Sequence, residues 1–540
     1  SMKSFKGTGA SPGLAIGRAY FISNEVDFSI KPTKGLIDSI KLLNDRYDSL
    51  IEDLKNNNRN LEAEIFHFYK TILNDPEVEN QLDKINGDEI KSIYNVFIKW
   101  ANTLAALEDD YLSQRSEDAI SVGKELIFTM QSVEIGDDEE DNIIVLAKEL
   151  TPNDTSSLNL QKVLGFIVQH TGPTSHAVIV AKNLGIPCVI GVDIESIQKE
   201  LEDSIAINGS SGEVFINPDE KVVLEIEKFK VVNEKLKKDY TQKNIDSLEI
   251  ELRANIGTDE EINEFSDNLI ESVGLFRSEF IYIDKSSKPS LEDQIKINEK
   301  LSSKFSKQIV FRTLDIGGDK EVSYLNIPKE ENPFLGTRGI RYSLKEKKLF
   351  REQIISILKS SLIDKVKIMF PMVSILEDFL QAKEIVIEEA EKLGVEIPPL
   401  GIMVETPSVA INARIYHGHV DFFSIGTNDL IQYTYAADRG VAELNKYQDP
   451  LNPSVLNLIS NVIELGKELN IEVSVCGDMA SDKEGALILY LLGLRIFSIA
   501  PSQAPLVLSS LIKANNELSH VSSEKILSQI DSQSVRKLIL

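Results

Sequence analysis

Two cysteines in 540 residues, Cys188 and Cys476, are too few for a disulfide framework, and neither belongs to a C-x-x-C pair. A reducing compartment and no structural zinc site are therefore expected. Basic residues are also scarce, with Lys+Arg 58 against Asp+Glu 85 and a net charge of −27. That balance argues against a binder of nucleic-acid phosphates and for a basic partner. No apolar run is long enough to cross a membrane, and the start, Ser1-Met2-Lys3-Ser4-Phe5, lacks the apolar centre of a signal peptide. The reading is a cytoplasmic protein without membrane association. Glycine and proline, 29 and 18, are at ordinary levels, and hydrophobic residues make up 42%, which excludes collagen-like, disordered and coiled-coil classes. What remains is a globular chain long enough for about three domains.

Its organisation follows from changes of period. The glycine-rich opening Gly7 to Gly13 and the run Leu14 to Ile22 read as a turn and a short strand that must pair with something downstream. From about Lys34 to Met130 apolar residues step by three and four: Leu43, Tyr47, Leu50, Leu54; Leu61, Ile65, Phe68, Ile72; Ile93, Phe97, Trp100, Leu104, Leu107, Tyr111. These stripes predict a helical bundle with acidic outer faces. After the acidic turn 137–141 the runs Ile143 to Ala147, Val163 to Val168, Pro187 to Val192, Ile205 to Asn208 and Glu213 to Asn217 predict strands, with one helix after Thr174. Lys221 to Leu248 predicts a linker helix. Beyond it lie eight apolar runs separated by helical-period sequence, beginning at Arg253, Val273, Gln308, Lys365, Leu400, Asp421, Glu472 and Arg495. Such a rhythm fits a (β/α)₈ barrel better than an open doubly wound sheet, which stays possible.

In a barrel, chemistry belongs at the carboxyl ends of the strands. Arg277 closes the second run, Arg312 and Asp315 lie in the third, and Glu405 closes the fifth. Asn428 and Asp429 follow the sixth, and Cys476 ends the seventh. Arg277, Arg312 and Arg439 suit a clamp for a small anion. Glu405 and Asp429 suit a Mg²⁺ that shares its remaining sites with substrate phosphate and water. Together they imply a phosphorylated carboxylic acid. Cys476 is readable as an inert buried thiol, but its place on the rim favours a role in the chemistry. A second constellation, Gly172-Pro173-Thr174-Ser175-His176, describes a helix start where free N–H groups and the dipole favour an anion. The dipole also keeps a histidine neutral and nucleophilic, so His176 suits carrying a phosphoryl group.

These strings occur together in one family. Ala10-Ser-Pro-Gly-Leu-Ala-Ile-Gly17, Leu150-Thr-Pro-Asn-Asp154, Thr174-Ser-His176, Ala254-Asn-Ile-Gly257, Gly274-Leu-Phe-Arg-Ser-Glu-Phe280, Arg312-Thr-Leu-Asp-Ile-Gly-Gly-Asp-Lys320, Glu331-Asn-Pro-Phe-Leu-Gly336, Gly401-Ile-Met-Val-Glu-Thr-Pro407, Ser424-Ile-Gly-Thr-Asn-Asp-Leu430 and Cys476-Gly span essentially the whole chain. The chain resembles enzyme I of the bacterial phosphoenolpyruvate-dependent sugar phosphotransferase system. The resemblance implies a phosphohistidine domain over 1–22 and 135–220, an inserted helical domain over 23–134 that binds the phosphocarrier HPr, a linker at 221–248, and a barrel over 249–540 that binds phosphoenolpyruvate and forms a homodimer. It implies phosphorylation of His176 on Nε2, with Arg277, Arg312, Arg439, Asn428 and the backbone at Asp429 holding the substrate. It further implies Glu405 and Asp429 on Mg²⁺, and Cys476 protonating the enolate to pyruvate. His176 then alternates between the barrel rim and HPr by a swing about the linker.

The chain departs from the family pattern at three places. Thr171-Gly172-Pro173 stands where Gly-Gly-Arg is usual, Asp478 stands where glutamate follows Cys-Gly, and Tyr69 stands where a histidine is expected on the insert. Pyruvate phosphate dikinase and phosphoenolpyruvate synthase share the Thr-Ser-His segment but need a nucleotide-binding domain for which no segment is visible. A paralogue with another acceptor, such as a nitrogen-related system, and a silent phospho-signalling scaffold are the remaining alternatives.

Overall fold

The computed structural model describes residues 2–23, 25–56, 60–109, 112–113, 115–131, 142–150, 154–155, 158–170, 176–202, 204–283, 285–317 and 322–540, with the side chains of 60–62, 176, 179 and 183 outside the description. The acidic turn 137–141 and the segment 171–175 are thus outside the described residues. The chain divides into two compact units, residues 1–230 and 231–540.

In the first unit, strands β1 (Lys3–Lys6), β2 (Thr8–Ser11), β3 (Leu14–Ile22), β4 (Ile143–Ala147), β5 (Val163–Val168), β6 (Cys188–Ile190), β7 (Ser204–Asn208) and β8 (Glu213–Ile216) form one mixed sheet. Its order is β1-β8-β7-β3-β4-β5-β6-β2. The opening segment does find downstream partners: β1 pairs antiparallel with β8 and β3 pairs parallel with β4. Gly212, at φ +81 in the turn between β7 and β8, lets the chain pass so close to Gly7 that a Cβ would lie 2.2 Å from the Gly7 carbonyl oxygen. No larger residue fits there. β4 is buried on both faces, which is why it reads as an unbroken apolar run. Ile144 and Leu146 pack on one face with Ile194 and Ile197, and Ile143 and Val145 pack on the other with Ala177, Val178 and Ala181.

Between β3 and β4 lie the helices α1 (Leu36–Asn56), α2 (Asn60–Leu73), α3 (Pro76–Asp83), α4 (Ile90–Ala105) and α5 (Ser116–Gln131). They enclose a core of their own that includes Leu43, Tyr47, Phe97, Leu104 and Leu126. α3 starts where Asp75 accepts from the N–H groups of Glu77 and Val78 and Pro76 takes the first turn. The face of α2 differs from the predicted stripe. Ala63, Phe66, Ile72 and Leu73 are buried while Ile65 stays partly exposed, because Phe66 and Tyr69 pack against the Tyr47 ring at 6.0 and 5.8 Å. Apolar residues nearly encircle this helix, so period alone does not choose its inner face. Leu107 is exposed because α4 ends at Ala105, and Tyr111 lies outside the described residues. Within the bundle, Glu125 turns its carboxyl toward Tyr47, whose hydroxyl donates to it.

Two further helices, α6 (His176–Leu184) and α7 (Ile194–Glu200), cover the sheet's two faces. The predicted linker is helical but broken. α8 (Glu220–Asp239) ends before Thr241, whose hydroxyl accepts from Asn244 N–H and starts a second helix at Gln242.

The second unit is a closed parallel barrel of β9 (Glu251–Ile256), β10 (Val273–Arg277), β11 (Ile309–Arg312), β12 (Val366–Phe370), β13 (Leu400–Val404), β14 (Phe422–Ile425), β15 (Glu472–Val475) and β16 (Ile496–Ile499). All eight predicted runs are strands. β16 pairs back onto β9, so the sheet closes and the open-sheet alternative falls. Near the amino ends Arg253, fully buried, donates to Glu251 and Glu472, and Lys367 also reaches Glu472. Inside the barrel Leu275, Val310, Met369, Met403, Phe422 and Cys476 cluster. Among the described residues no helix is long and apolar enough to cross a membrane.

Candidate functional site

The carboxyl ends of the barrel strands collect charge of both signs. Arg277 and Arg312 are register partners on β10 and β11, which puts two guanidinium groups side by side on the rim. Arg277 donates to Glu261 at 3.3 Å and lies over the Phe280 ring at 5.3 Å. Arg312 is buried, paired with Glu279 through Nη2 and 3.6 Å from Asp315 through Nη1. A guanidinium not foreseen from sequence, Arg338, bridges the site. It donates to Asp315 at 3.1 and 3.3 Å and to Asp429 at 3.1 and 3.3 Å. Arg439 approaches Asp429 at 3.8 Å and stays about a third exposed. The Nε atoms of Arg277, Arg312 and Arg338 are buried with no hydrogen-bond partner among the described residues, so these guanidinium groups keep donor capacity that the described residues do not use.

Glu405, almost fully buried, accepts the Met372 N–H at 2.6 Å. Burial, then the charges of Asp429 and Asp315, push its carboxyl well above the usual range. Such a cluster suits a hard divalent cation. Carboxylate oxygens are the donors that hard divalent cations take, Mg²⁺ among them.

Cys476 follows β15 with its thiol inside the barrel mouth. Ser424 Oγ donates to Sγ at 3.3 Å, and burial pushes the thiol up to about 11. Its carbonyl accepts from Asn255 Nδ2 at 2.9 Å, and Asn255 Oδ1 accepts from Ser498 at 2.5 Å. Asn428 and Asp478 clasp each other: Asn428 Nδ2 donates to Asp478 Oδ2 at 3.1 Å, and Asp478 N–H donates to Asn428 Oδ1 at 2.9 Å.

The structure thus brings Arg277, Arg312, Arg439, Glu405, Asn428, Asp429 and Cys476 to the carboxyl rim of one barrel. His176 is in the other unit, at the first position of α6, as expected of a helix start. Its side chain and the turn 171–175, with Pro173, are outside the described residues. Arg338, Glu279, Glu261, Asn255 and Ser424 were missed. A signal existed for Arg338, which stands two residues after the string ending at Gly336, and for Asn255, Glu279 and Ser424, which lie inside quoted strings. On the insert, Tyr69 packs against Tyr47 and Phe66, so the departure there alters the bundle interior. Arg115 lies over Phe68 at 5.0 Å and 3.7 Å from Asp118.

Comparison with known proteins adds three family matches. Residues 232–516 match the family described as PEP-utilising enzyme, PEP-binding domain. Residues 139–212 match the PEP-utilising enzyme mobile domain, and 6–115 match its N-terminal family. Among curated relatives, the chain is 35% identical to a Staphylococcus epidermidis phosphoenolpyruvate-protein phosphotransferase, over 97% of this chain and 95% of that one. It is 34% identical to the Priestia megaterium protein of the same name, covering 98% and 96%. The Staphylococcus carnosus protein of that name is 35% identical, covering 95% and 94%.

Proposed function

The chain belongs to the phosphoenolpyruvate-protein phosphotransferase family, and on that premise we propose how its own residues carry the reaction. It is an enzyme that takes the phosphoryl group of phosphoenolpyruvate. The acceptor is His176 Nε2, and the second step passes the group to a histidine of the phosphocarrier HPr, the first step of sugar uptake by the phosphotransferase system. The observation that carries the reading is the rim itself: guanidinium groups with unused buried donors beside acidic oxygens and a thiol.

Arg277, Arg312 and Arg439 hold the phosphate and carboxylate oxygens, with Asn428 and the backbone at Asp429 completing the contacts. Arg338 braces Asp315 and Asp429. Glu405 and Asp429 would hold Mg²⁺, which when bound would supply charge neutralisation for the phosphate oxygens. As the P–O bond of the donor breaks and the P–N bond to His176 forms, an enolate leaves. Cys476 gives its proton to the enolate methylene carbon and pyruvate departs. A thiol raised to about 11 is fully protonated at neutral pH, the state an acid needs.

The division into 1–22 with 135–220, 23–134, 221–248 and 249–540 belongs to the same reading. It is supported by the shared sheet of β1–β3 with β4–β8 and by the separate core of the bundle. The bundle docks HPr, and the chain's negative charge suits a basic carrier. A homodimer through the barrel is supported by exposed Leu335 and Ile411, each ending a short helix, and exposed Ile375, on segments joined by Arg341 to Ser374 and Ser408 to Ser374 hydrogen bonds. A cytoplasmic location belongs to the same reading.

The test is intact mass after incubation with phosphoenolpyruvate and Mg²⁺, with His176→Ala alongside. One acid-labile phosphoryl, absent from the variant, is expected. No adduct on folded protein would overturn the reading and move a silent scaffold to the front.

A further inference from the structure

Two short helices begin at the carboxyl ends of neighbouring strands. Thr427–Tyr435 follows β14 and carries Asn428 and Asp429, and Asp478–Ser481 follows β15 two residues after Cys476. Their first turns touch. A Cβ on Gly477 would lie 1.9 Å from Thr427 Oγ1, so only glycine permits the approach. The reciprocal pair of hydrogen bonds between Asn428 and Asp478 closes over this contact. On its far side the same segment is fixed by the bond from Asn255 to the Cys476 carbonyl.

An amide side chain can present either its oxygen or its nitrogen. At Asn428 the choice is made by its neighbour: the Asp478 carboxylate can only accept, so it takes one Nδ2 hydrogen, and the Asp478 N–H can only donate, so it takes Oδ1. The second Nδ2 hydrogen is left for an anion. We propose that Asp478 is a positioning residue that fixes Asn428 with its N–H toward phosphoenolpyruvate and ties that contact to the segment bearing Cys476. The one-methylene difference from the family's usual glutamate is accommodated because the two helix starts meet within direct hydrogen-bond reach. This inference rests on the reading that Asn428 touches the substrate.

Asp478 is exposed and supports no core, so its variants should fold, and an unchanged thermal midpoint checks this. The experiment is quench-flow measurement of the pyruvate burst against phosphoenolpyruvate concentration at saturating Mg²⁺, on the full chain. Asp478→Ala should raise half-saturation about ten-fold, the worth of one hydrogen bond to a charged group, with the maximal rate changed less than about three-fold. Asp478→Asn keeps the acceptor at the same length and should restore binding. The double variant with Asn428→Ala should be no worse than Asn428→Ala alone. Half-saturation unmoved by Asp478→Ala, while Asn428→Ala raises it, would overturn the inference and leave the substrate-site reading standing. Losses that multiply in the double variant would do the same. If Asn428→Ala itself changes nothing, the substrate contact of Asn428 fails first and the inference falls with it.

Discussion

Glu125 turns the packing of the helical bundle into a measurable pH dependence. Burial pushes its carboxyl from 4.5 up to about 7, opposed by the Tyr47 hydrogen bond and Arg46 and assisted by Asp154. Between those values the folded bundle keeps a proton that the unfolded chain has released. Stability from this group is therefore fully present below about pH 4.5 and is lost as pH rises through about 7. A shift of about 2.5 units corresponds to ~3 kcal/mol, and to about 2 kcal/mol when the residue's partial solvent access is allowed for. Glu125→Gln keeps an acceptor for the Tyr47 hydroxyl and never ionises. It should be about 2 kcal/mol more stable than the parent at pH 8 and equal to it near pH 4.5. The chain's single tryptophan, Trp100, packs against this core, so its fluorescence in urea titrations reports the bundle and not the barrel. A stability difference that is the same at pH 4.5 and pH 8, or a variant that is weaker at pH 8, refutes the reasoning.

The barrel offers further tests. Arg338→Met leaves Asp315, Asp429 and Glu405 without their shared cation and should cost about 3–5 kcal/mol in chemical denaturation. Mg²⁺ should recover more stability in that variant than in the parent; equal recovery would mean the three carboxylates do not share a site. With a thiol near 11, Cys476 exists as thiolate to roughly one part in a thousand at pH 8, so iodoacetamide should modify it far more slowly than free glutathione. Cys476→Ala should slow pyruvate release about a hundred-fold or more in rapid-quench assays, and an unchanged rate would remove it from the chemistry. Raising NaCl from about 50 to 500 mM should weaken transfer to HPr while sparing the pyruvate burst, because charge attraction between exposed surfaces is screened over a few ångströms at high salt. A burst that falls in parallel would place the salt effect at the barrel instead.

The barrel was legible because its strands are buried on both faces. Most therefore read as short, mainly apolar runs, and the residue that closes a run or follows it lands on the rim. Arg277, Glu405 and Cys476 were found by that rule alone. Arg338 escaped it because it comes from the long connection between β11 and β12, where no period marks a side chain as inward-facing. Asn255 and Ser424 escaped it because they sit inside strands and act on Cys476 only once neighbouring strands close. The inner face of α2 was unreadable because aromatic packing on Tyr47, and not the count of apolar residues, decided it. The break near Thr241 was visible only as a capping residue in a charged, helix-prone stretch.

Closure of β16 on β9 joins residues about 245 positions apart, with Ile496 opposite Glu251. At translation speeds of about 5–20 residues per second, the first and last strands emerge roughly 10–50 seconds apart. The sheet of the first unit needs nothing beyond Ile216 and can be finished before most of the barrel has been synthesised. Until β16 arrives, β9 and β15 present unpaired backbone edges, and the Asn255 that anchors Cys476 lacks its Ser498 donor. On the ribosome, then, the half of the molecule that accepts a phosphoryl group can mature ahead of the half that supplies it, and the nascent barrel is the part that carries open strand edges the longer.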